Sequence, residues 1–416
     1  MKRTAAYLGI PEEKLHINVS FTMLMVNVSD GDYSFTKFQR IETHGVNMTA
    51  ISEVSKLSWR AIEEDYSLDR YEEELEKIRT KKRNYTPWQV AIGAGFACGG
   101  FCIQFGCDWM AFLYASIAAI IGMRIRAKCN ESGLNHYMGI AIAAFVSTIL
   151  AWASTLLPAE WTTTPWHPLL ACALFIVPGV PLINFVDDML DNYIQVGIVR
   201  AVNTLLMVAA MAFGIAFAVK LCHIADFFPT ISMVPHHAYW EYAIAAAISA
   251  MGFSMIFNIQ RRLLWVVAIG GIIAVCTRNF VNLGASTDNI GLDMGLVIGS
   301  FSGSVLVSLI AVKAVHWFHV PNHVLTIPSV IPMIPGVLMY RMLFGIININ
   351  VQSIDQVTPL MKAIESGVNS GLVIMVIALG VAIPNIFGRK YIASSKNKRL
   401  AELLKERKAR GKFIEW

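Results

Sequence analysis

The sequence predicts a polytopic α-helical membrane protein: about ten transmembrane helices in two inverted five-helix repeats with broken helices, plus a small N-terminal α/β domain. Three observations carry this reading. The 416 residues are 55% hydrophobic and only 15% charged, with a mean hydropathy of +0.53, whereas soluble domains hold roughly 25% charged residues. Ten apolar stretches approach the length of about 20 residues that a bilayer crossing needs. A proline-glycine pair interrupts an apolar segment twice, at Pro178-Gly179 and at Pro335-Gly336.

Residues 1–85 carry an ordinary mixture of acids and bases and form the expected cytoplasmic α/β domain. The start, Met1-Lys2-Arg3-Thr4, leads into a mixed segment without an apolar core of signal length. Residues 15–30 alternate as one strand would, Asp30-Gly31 marks a hairpin turn, and a second strand is expected over 34–42. Helices are expected over 49–62 and 68–80, with Ser67 or Asp69 opening the second. The domain has no glycine-rich phosphate loop, nucleophile elbow or clustered acid pair, so no catalytic residue is assigned and the chain is not expected to be an enzyme. A domain this small must lean on the membrane part or on a partner chain.

The candidate spans lie near 88–106, 109–125, 136–157, 167–186, 194–222, 239–257, 262–281, 291–312, 321–346 and 367–388. Ten spans put both termini on one side, and basic residues mark the cytoplasmic side. Lys81-Lys82-Arg83 precedes the first span, and a basic tail, 391–416, follows the last. Arg124, Arg126, Lys128, Arg261, Arg262 and Lys313 then fall inside, while the outer loop 158–168 has no Lys or Arg. The expected location is the cytoplasmic membrane, multi-pass, with both termini cytoplasmic. The partners are lipid and a small solute, not nucleic acid, and there is room for a homo-oligomer.

Residues 91–122 laid without gaps on 243–274 give nine identities in thirty-two positions, among them Gly100-Phe101 on Gly252-Phe253 and Phe105 on Phe257. Pro178 and Pro335 stand 157 residues apart, close to the 152-residue offset of that match. Two features thus give nearly one period, with halves at 86–225 and 236–390. Five spans per half is an odd number, so the halves must be inverted. Inverted repeats with a midplane site between broken helices are a transporter architecture.

Proline removes a backbone donor and clashes with the preceding turn, so neither interrupted helix runs on unbroken. Irregular backbone at membrane depth survives only where it is packed in protein or lines a cavity. Pro178, Gly179, Pro335 and Gly336 are therefore expected to frame a substrate site, with freed N–H groups receiving an anion. Arg341 could grip a carboxylate bidentately, and Asn184, Asn282 and Tyr340 could fix orientation. Charges inside spans are functional candidates by default. Asp187, Asp188, Arg200, Arg278 and Asp293 are the candidates for proton or charge coupling. The competing reading of Arg200 and the aspartates is interfacial pairing that fixes helix orientation. The expected substrate carries a carboxylate. No ATP-binding motif is present, so the energy would come from a gradient. The seven cysteines sit in mainly apolar surroundings and no Cys/His spacing suits zinc, so no metal and no cofactor are expected.

The whole chain resembles the threonine/serine exporter family. The resemblance rests on Pro178-Gly179-Val180-Pro181-Leu182 with Asp187-Asp188 and Arg200, and on Pro328-Ser329, Pro332 and Pro335-Gly336 with Tyr340. It implies a cytoplasmic N-terminal domain, about ten membrane helices in two five-helix halves, and secondary export of threonine and serine driven by the proton-motive force. In some members the halves are separate chains. Similar proteins with split halves are linked to export of dicarboxylates such as succinate. Family members usually carry more sequence before the first strand, so a shortened N-terminus is expected. A dicarboxylate exporter would need two cationic groups at its site. An intramembrane hydrolase would need a Gly-x-Gly-Asp helix motif, which is absent. A membrane scaffold would show no flux and would tolerate Arg341→Ala.

Overall fold

The computed structural model describes residues 1–29, 32–41, 45–224, 237–285, 289–347 and 357–409. After a short helix α1 (Lys2–Tyr7), three antiparallel strands form a sheet in the order β1 (Leu15–Val19), β2 (Met23–Ser29), β3 (Ser34–Arg40). The stretch expected as one strand over 15–30 is two. The Ser20 hydroxyl donates to the Met23 carbonyl and accepts from the Met23 N–H, both at 3.0 Å, and this closes a turn that side-chain alternation does not reveal. Asp30-Gly31 lies outside the described residues, but Ser29 pairs with Ser34 across the place where that hairpin was expected.

Helix α2 (Met48–Glu63) is capped by Asn47, and α3 (Leu68–Thr80) by Ser67, whose hydroxyl accepts from the Arg70 N–H. Leu57, Ala61, Ile62 and Tyr66 make a small core that Leu8, Tyr71 and Ile78 cover. Leu403, from the last helix of the chain, packs on the same core. The N-terminal domain and the last turns of the C-terminal helix therefore lie at one end of the molecule.

The remaining described chain is helical. The first half holds α4 (Pro87–Gln104), α5 (Trp109–Glu131), α6 (His136–Ala153), the short α7 (Pro168–Ala171), α8 (Gly179–Leu190) and α9 (Ile194–Leu221). The second holds α10 (Tyr239–Ile256), α11 (Leu264–Asn282), α12 (Leu296–Phe318), α13 (Asn322–Val330), α14 (Gly336–Ile347) and α15 (Val357–Ala409). Among the described residues, six helices are long and apolar enough to cross a membrane, eight if each bent pair counts as one span. The 18-residue α4 and α10 fall outside that set. They are rich in Gly and Ala, pack on each other, and expose one apolar edge each, with Ile92 and Phe96 on α4 and Ile244 on α10. The tenth stretch, expected over 367–388, belongs to the longer α15, which continues into the expected tail.

Contacts recur between the halves. Helices α4–α5, α5–α6, α6–α9 and α8–α9 touch, as do their counterparts α10–α11, α11–α12, α12–α15 and α14–α15. The halves also exchange contacts, α8 with α15 and α14 with α9. Between them α4 and α10 run antiparallel. A Cβ on Gly93 would lie 2.9 Å from the Gly252 carbonyl oxygen, and one on Gly100 would lie 2.5 Å from that of Ala245. Ser249 donates to the Ala97 carbonyl at 3.2 Å, and these two residues are 152 apart. Small residues allow this approach.

The N-terminal domain is tied to the start of α4 and the end of α10. Met48 N–H donates to the Phe257 carbonyl, Thr49 Oγ1 to that of Asn258, and Asn84 N–H to Asn258 Oδ1.

Candidate functional site

The two breaks have one geometry. In the first, a 3-10 turn over Leu174–Ile176 leads through Val177 and Pro178 into α8; in the second, one over Ile331–Met333 leads through Ile334 and Pro335 into α14. Gly179 N–H donates to the Val177 carbonyl and Gly336 N–H to the Ile334 carbonyl, each at 2.8 Å. The paired helices bend by 55° and 61°. Proline at each junction supplies no donor, so the chain must turn there and restart a helix.

The breaks pack on each other. A Cβ on Gly179 would lie 3.0 Å from Ile331 Cγ1 and from Ile334 Cδ1. A Cβ on Gly336 would lie 2.6 Å from Leu174 Cδ2 and 3.2 Å from Val177 Cγ2. Ile331 and Ile334 stand 157 residues after Leu174 and Val177, so the contact is reciprocal. Helices α8 and α14 thus start beside each other, with the donor-rich, positive ends of two 12-residue helices brought together.

The polar residues of α8 lie toward the end of the bundle that carries the N-terminal domain. Arg200 Nε on α9 stands 2.8 Å from Asp188 Oδ2, and both side chains are about three-quarters buried. Asp187 Oδ2 is 3.8 Å from His323 Nε2, on the first turn of α13, which links the two halves. Asn322 donates to Asn385 Oδ1 at 2.5 Å, and Tyr137 OH donates to Asn203 Oδ1 at 2.6 Å. Asn184 lies one turn before Asp188 on α8, partly buried, at the position that Arg341 occupies on α14. Arg341 is partly buried; the Tyr340 side chain lies outside the described residues.

Arg278 is on the last part of α11, beside Asn279 and Gln104, at the opposite end of the bundle from Asp188. Asn282 ends α11, where its Cβ faces Gly299. Asp293 does not lie inside a span. Helix α12, the eighth expected span, begins at Leu296, not at 291, and Asp293 is exposed on the preceding loop with φ 54°. Gly295, at φ 85°, turns the chain just before the helix and delays its start. The two breaks thus lie against each other and Asp188 pairs with Arg200 between α8 and α9, the arrangement the interfacial-pairing reading describes, while Arg278 and Asp293 stand apart. Sequence reasoning passed over His323, Gln104 and Asn385. A histidine or amide inside an apolar segment was the available signal. Among the described residues no group of three metal-ligating side chains forms.

These features define a multi-pass membrane protein whose halves meet at two facing helix breaks. Residues 1–222 match the family described as "Putative threonine/serine exporter", and residues 242–387 match "Threonine/Serine exporter, ThrE". The chain belongs to the threonine/serine exporter family, in its form with both halves in one chain. It is also similar to "Probable succinate transporter subunit YjjP" of Klebsiella aerogenes, 27% identical over 202 residues, covering 49% of this chain and 77% of that protein. The Escherichia coli K12 protein of the same description is 26% identical over 219 residues, 53% of this chain and 84% of the relative. No solved structure matches.

Proposed function

We propose that the protein is a secondary exporter of small amino acids, threonine and serine, driven by the proton-motive force. Its ten spans form two inverted halves, 86–225 and 236–390, in the cytoplasmic membrane with both termini inside. The carboxylate of the substrate sits between the two breaks, at Pro178-Gly179 and Pro335-Gly336, facing the first-turn amides of α8 and α14. The reciprocal packing of Gly179 and Gly336 carries this reading, because two helix starts beside each other favour an anion that a single one holds weakly. The antiparallel contact of α4 with α10 supports inversion. Leu403 on the Leu57 cluster supports a common side for the termini, and Lys81, Lys82, Arg83, Arg261 and Arg262 at that end support a cytoplasmic one.

Asn184 and Arg341, on equivalent turns of α8 and α14, orient the substrate, with Tyr340 and Asn282 as further polar groups. Asp187 with His323 and Asp188 with Arg200 provide the charged gate that couples transport to protons, because they are the ionisable pairs held between helices on the path from the breaks. A second reading, export of a dicarboxylate through the same site, is favoured by the relatives described as succinate transporter subunits. That description also supports an assembly of more than one chain.

Efflux from proteoliposomes loaded with labelled threonine, serine or succinate, with and without a proton gradient, decides between these. Gradient-dependent threonine efflux that Arg341→Ala abolishes supports the amino-acid exporter. Succinate efflux alone moves the assignment to dicarboxylates. Flux of none of them returns the protein to the scaffold reading.

A further inference from the structure

Among the described residues the Arg278 guanidinium is held by amides and not by a carboxylate. Its Nε and Nη2 donate to Asn279 Oδ1 at 3.0 and 2.9 Å, and Nη2 also donates to Gln104 Oε1 at 3.3 Å. Among the described residues no carboxylate pairs with it. Both amides use their oxygen to accept from the guanidinium, so their NH2 groups are left to find an acceptor elsewhere. Gln104 Nε2 and Asn279 Nδ2 are then buried with no acceptor among the described residues. Gln104 is 5% exposed and Asn279 3%. A buried donor without an acceptor costs about 1–3 kcal/mol, and here two such donors flank one guanidinium. Charge and donors all have the sign that an anion satisfies.

The repeat sharpens this. The 152-residue offset places Arg126 opposite Arg278, but Ile256 stands where Gln104 would be and Ala127 where Asn279 would be. The arginine recurs and the amide pair does not, so the donors are not a by-product of the duplicated helix packing. Gln104 ends α4 and Arg278 is near the end of α11. The cluster therefore lies at the bundle end away from the N-terminal domain, across from Asp188 and His323.

We propose that Arg278, Gln104 and Asn279 form a second carboxylate-binding site, taking up the anionic end of the solute on the far side of the helix breaks. One carboxylate oxygen accepts from Arg278 Nη1 and the other from the two amide NH2 groups. The identity of the ligand rests on the exporter reading; the existence of the site does not.

The test titrates the purified full chain in nanodiscs with succinate, L-threonine and L-threoninamide, the last of which lacks the carboxylate. Saturable thermal stabilisation by succinate or L-threonine, absent with L-threoninamide, is expected. Arg278→Gln should raise the half-saturating concentration at least tenfold. Gln104→Glu tests the same point without risk to the fold. It is isosteric, supplies an internal carboxylate to Arg278, and should both raise the melting temperature of the unliganded protein and weaken carboxylate binding at least tenfold. Unchanged binding in both variants, or no saturable carboxylate effect in the wild type, overturns the site. Efflux measured in parallel separates this from the function. Wild-type-like efflux affinity in Gln104→Glu removes the site and leaves the exporter standing, whereas Arg278-dependent binding without wild-type flux does the reverse.

Discussion

The rings of Phe101 and Phe253 meet edge to face, with centroids 5.9 Å apart and planes at 82°. These residues are 152 apart, so each is the other's counterpart. Behind each stands a second ring on its own helix, Phe105 at 5.9 Å from Phe101 and Phe257 at 6.1 Å from Phe253. Helical side chains lean toward the N-terminus, so on antiparallel helices two rings placed past the crossing lean back and meet at it. The duplicated Gly-Phe motif is thus one of the contacts between the halves.

This crossing leaves no room for a side chain at its glycines. A Cβ on Gly252 would press on the Gly93 carbonyl and lie 2.6 Å from Ala97 N, both backbone atoms that cannot step aside. Gly252→Val is expected to lower the melting temperature in detergent, with a cost of at least about 1–3 kcal/mol for overpacking. Gly371→Val on α15, where a Cβ meets nothing within 4 Å, should leave it unchanged.

At the breaks the obstruction is softer, and that makes rescue possible. An added methyl at Gly336 meets the tip of Leu174 at 2.6 Å. Gly336→Ala should slow efflux roughly tenfold, equivalent to about 1.4 kcal/mol. Leu174→Ala in the same chain should recover most of the loss. Equal impairment in the single and double variants would show that the breaks do not work by contact with each other.

Asp188 and Arg200 form a pair that is more harmful to halve than to remove. Arg200→Gln leaves a mostly buried carboxylate without its cation, and Asp188→Asn does the converse. Thermal stability of the two single variants and the double should reveal a coupling energy of about 0.5–3 kcal/mol. A purely additive cycle would mean that the 2.8 Å approach contributes nothing to the fold.

Local physics was legible in the sequence, and long-range pairing was not. Pro178 and Pro335 announce their breaks because proline acts on its own turn. The phenylalanine and glycine repeats are visible because both copies lie in one chain. The turn at Ser20 was hidden because one hydroxyl, not the hydrophobic alternation, closes it. Arg200 stood out as a charge in an apolar run, but its partner was one of three nearby aspartates. Gln104 and Arg278 are 174 residues apart, and nothing in either segment names the other.

Asp108 provides a pH test outside the spans. Burial pushes its carboxyl up, but four bonds outweigh it and hold it below the usual range. Ala111 N–H donates to Oδ1 at 2.7 Å; Thr163 N–H, Thr162 Oγ1 and Thr163 Oγ1 donate to Oδ2 at 2.6, 2.7 and 3.0 Å. A depressed folded value means that this stability is present above the ordinary aspartate pKa of about 3.9 and is lost as pH falls through the lower folded value. The wild-type melting temperature should drop across that acid window. Asp108→Asn should start lower at neutral pH and show a smaller drop.

Asn258 decides whether the N-terminal domain stays docked. It is 3% exposed and sits at φ 57°, a left-handed conformation that asparagine tolerates better than alanine. Its side chain donates to Asn47 Oδ1 at 2.8 Å and accepts from Asn84 N–H at 2.8 Å, while its carbonyl accepts from Thr49 Oγ1 at 2.5 Å. Asn258→Gly keeps the backbone and loses only the side-chain bonds; Asn258→Ala also pays for the backbone, about 1–2 kcal/mol more. Trypsin has ready targets in the exposed Lys81, Lys82 and Arg83 beside this knot. Cleavage there should be slowest in the wild type, faster in Asn258→Gly and fastest in Asn258→Ala. The same order is expected for hydrogen exchange at the Met48 amide, which donates to the Phe257 carbonyl. If Gly and Ala variants are cut at the same rate, the left-handed backbone carries no part of the docking and the side-chain bonds carry all of it.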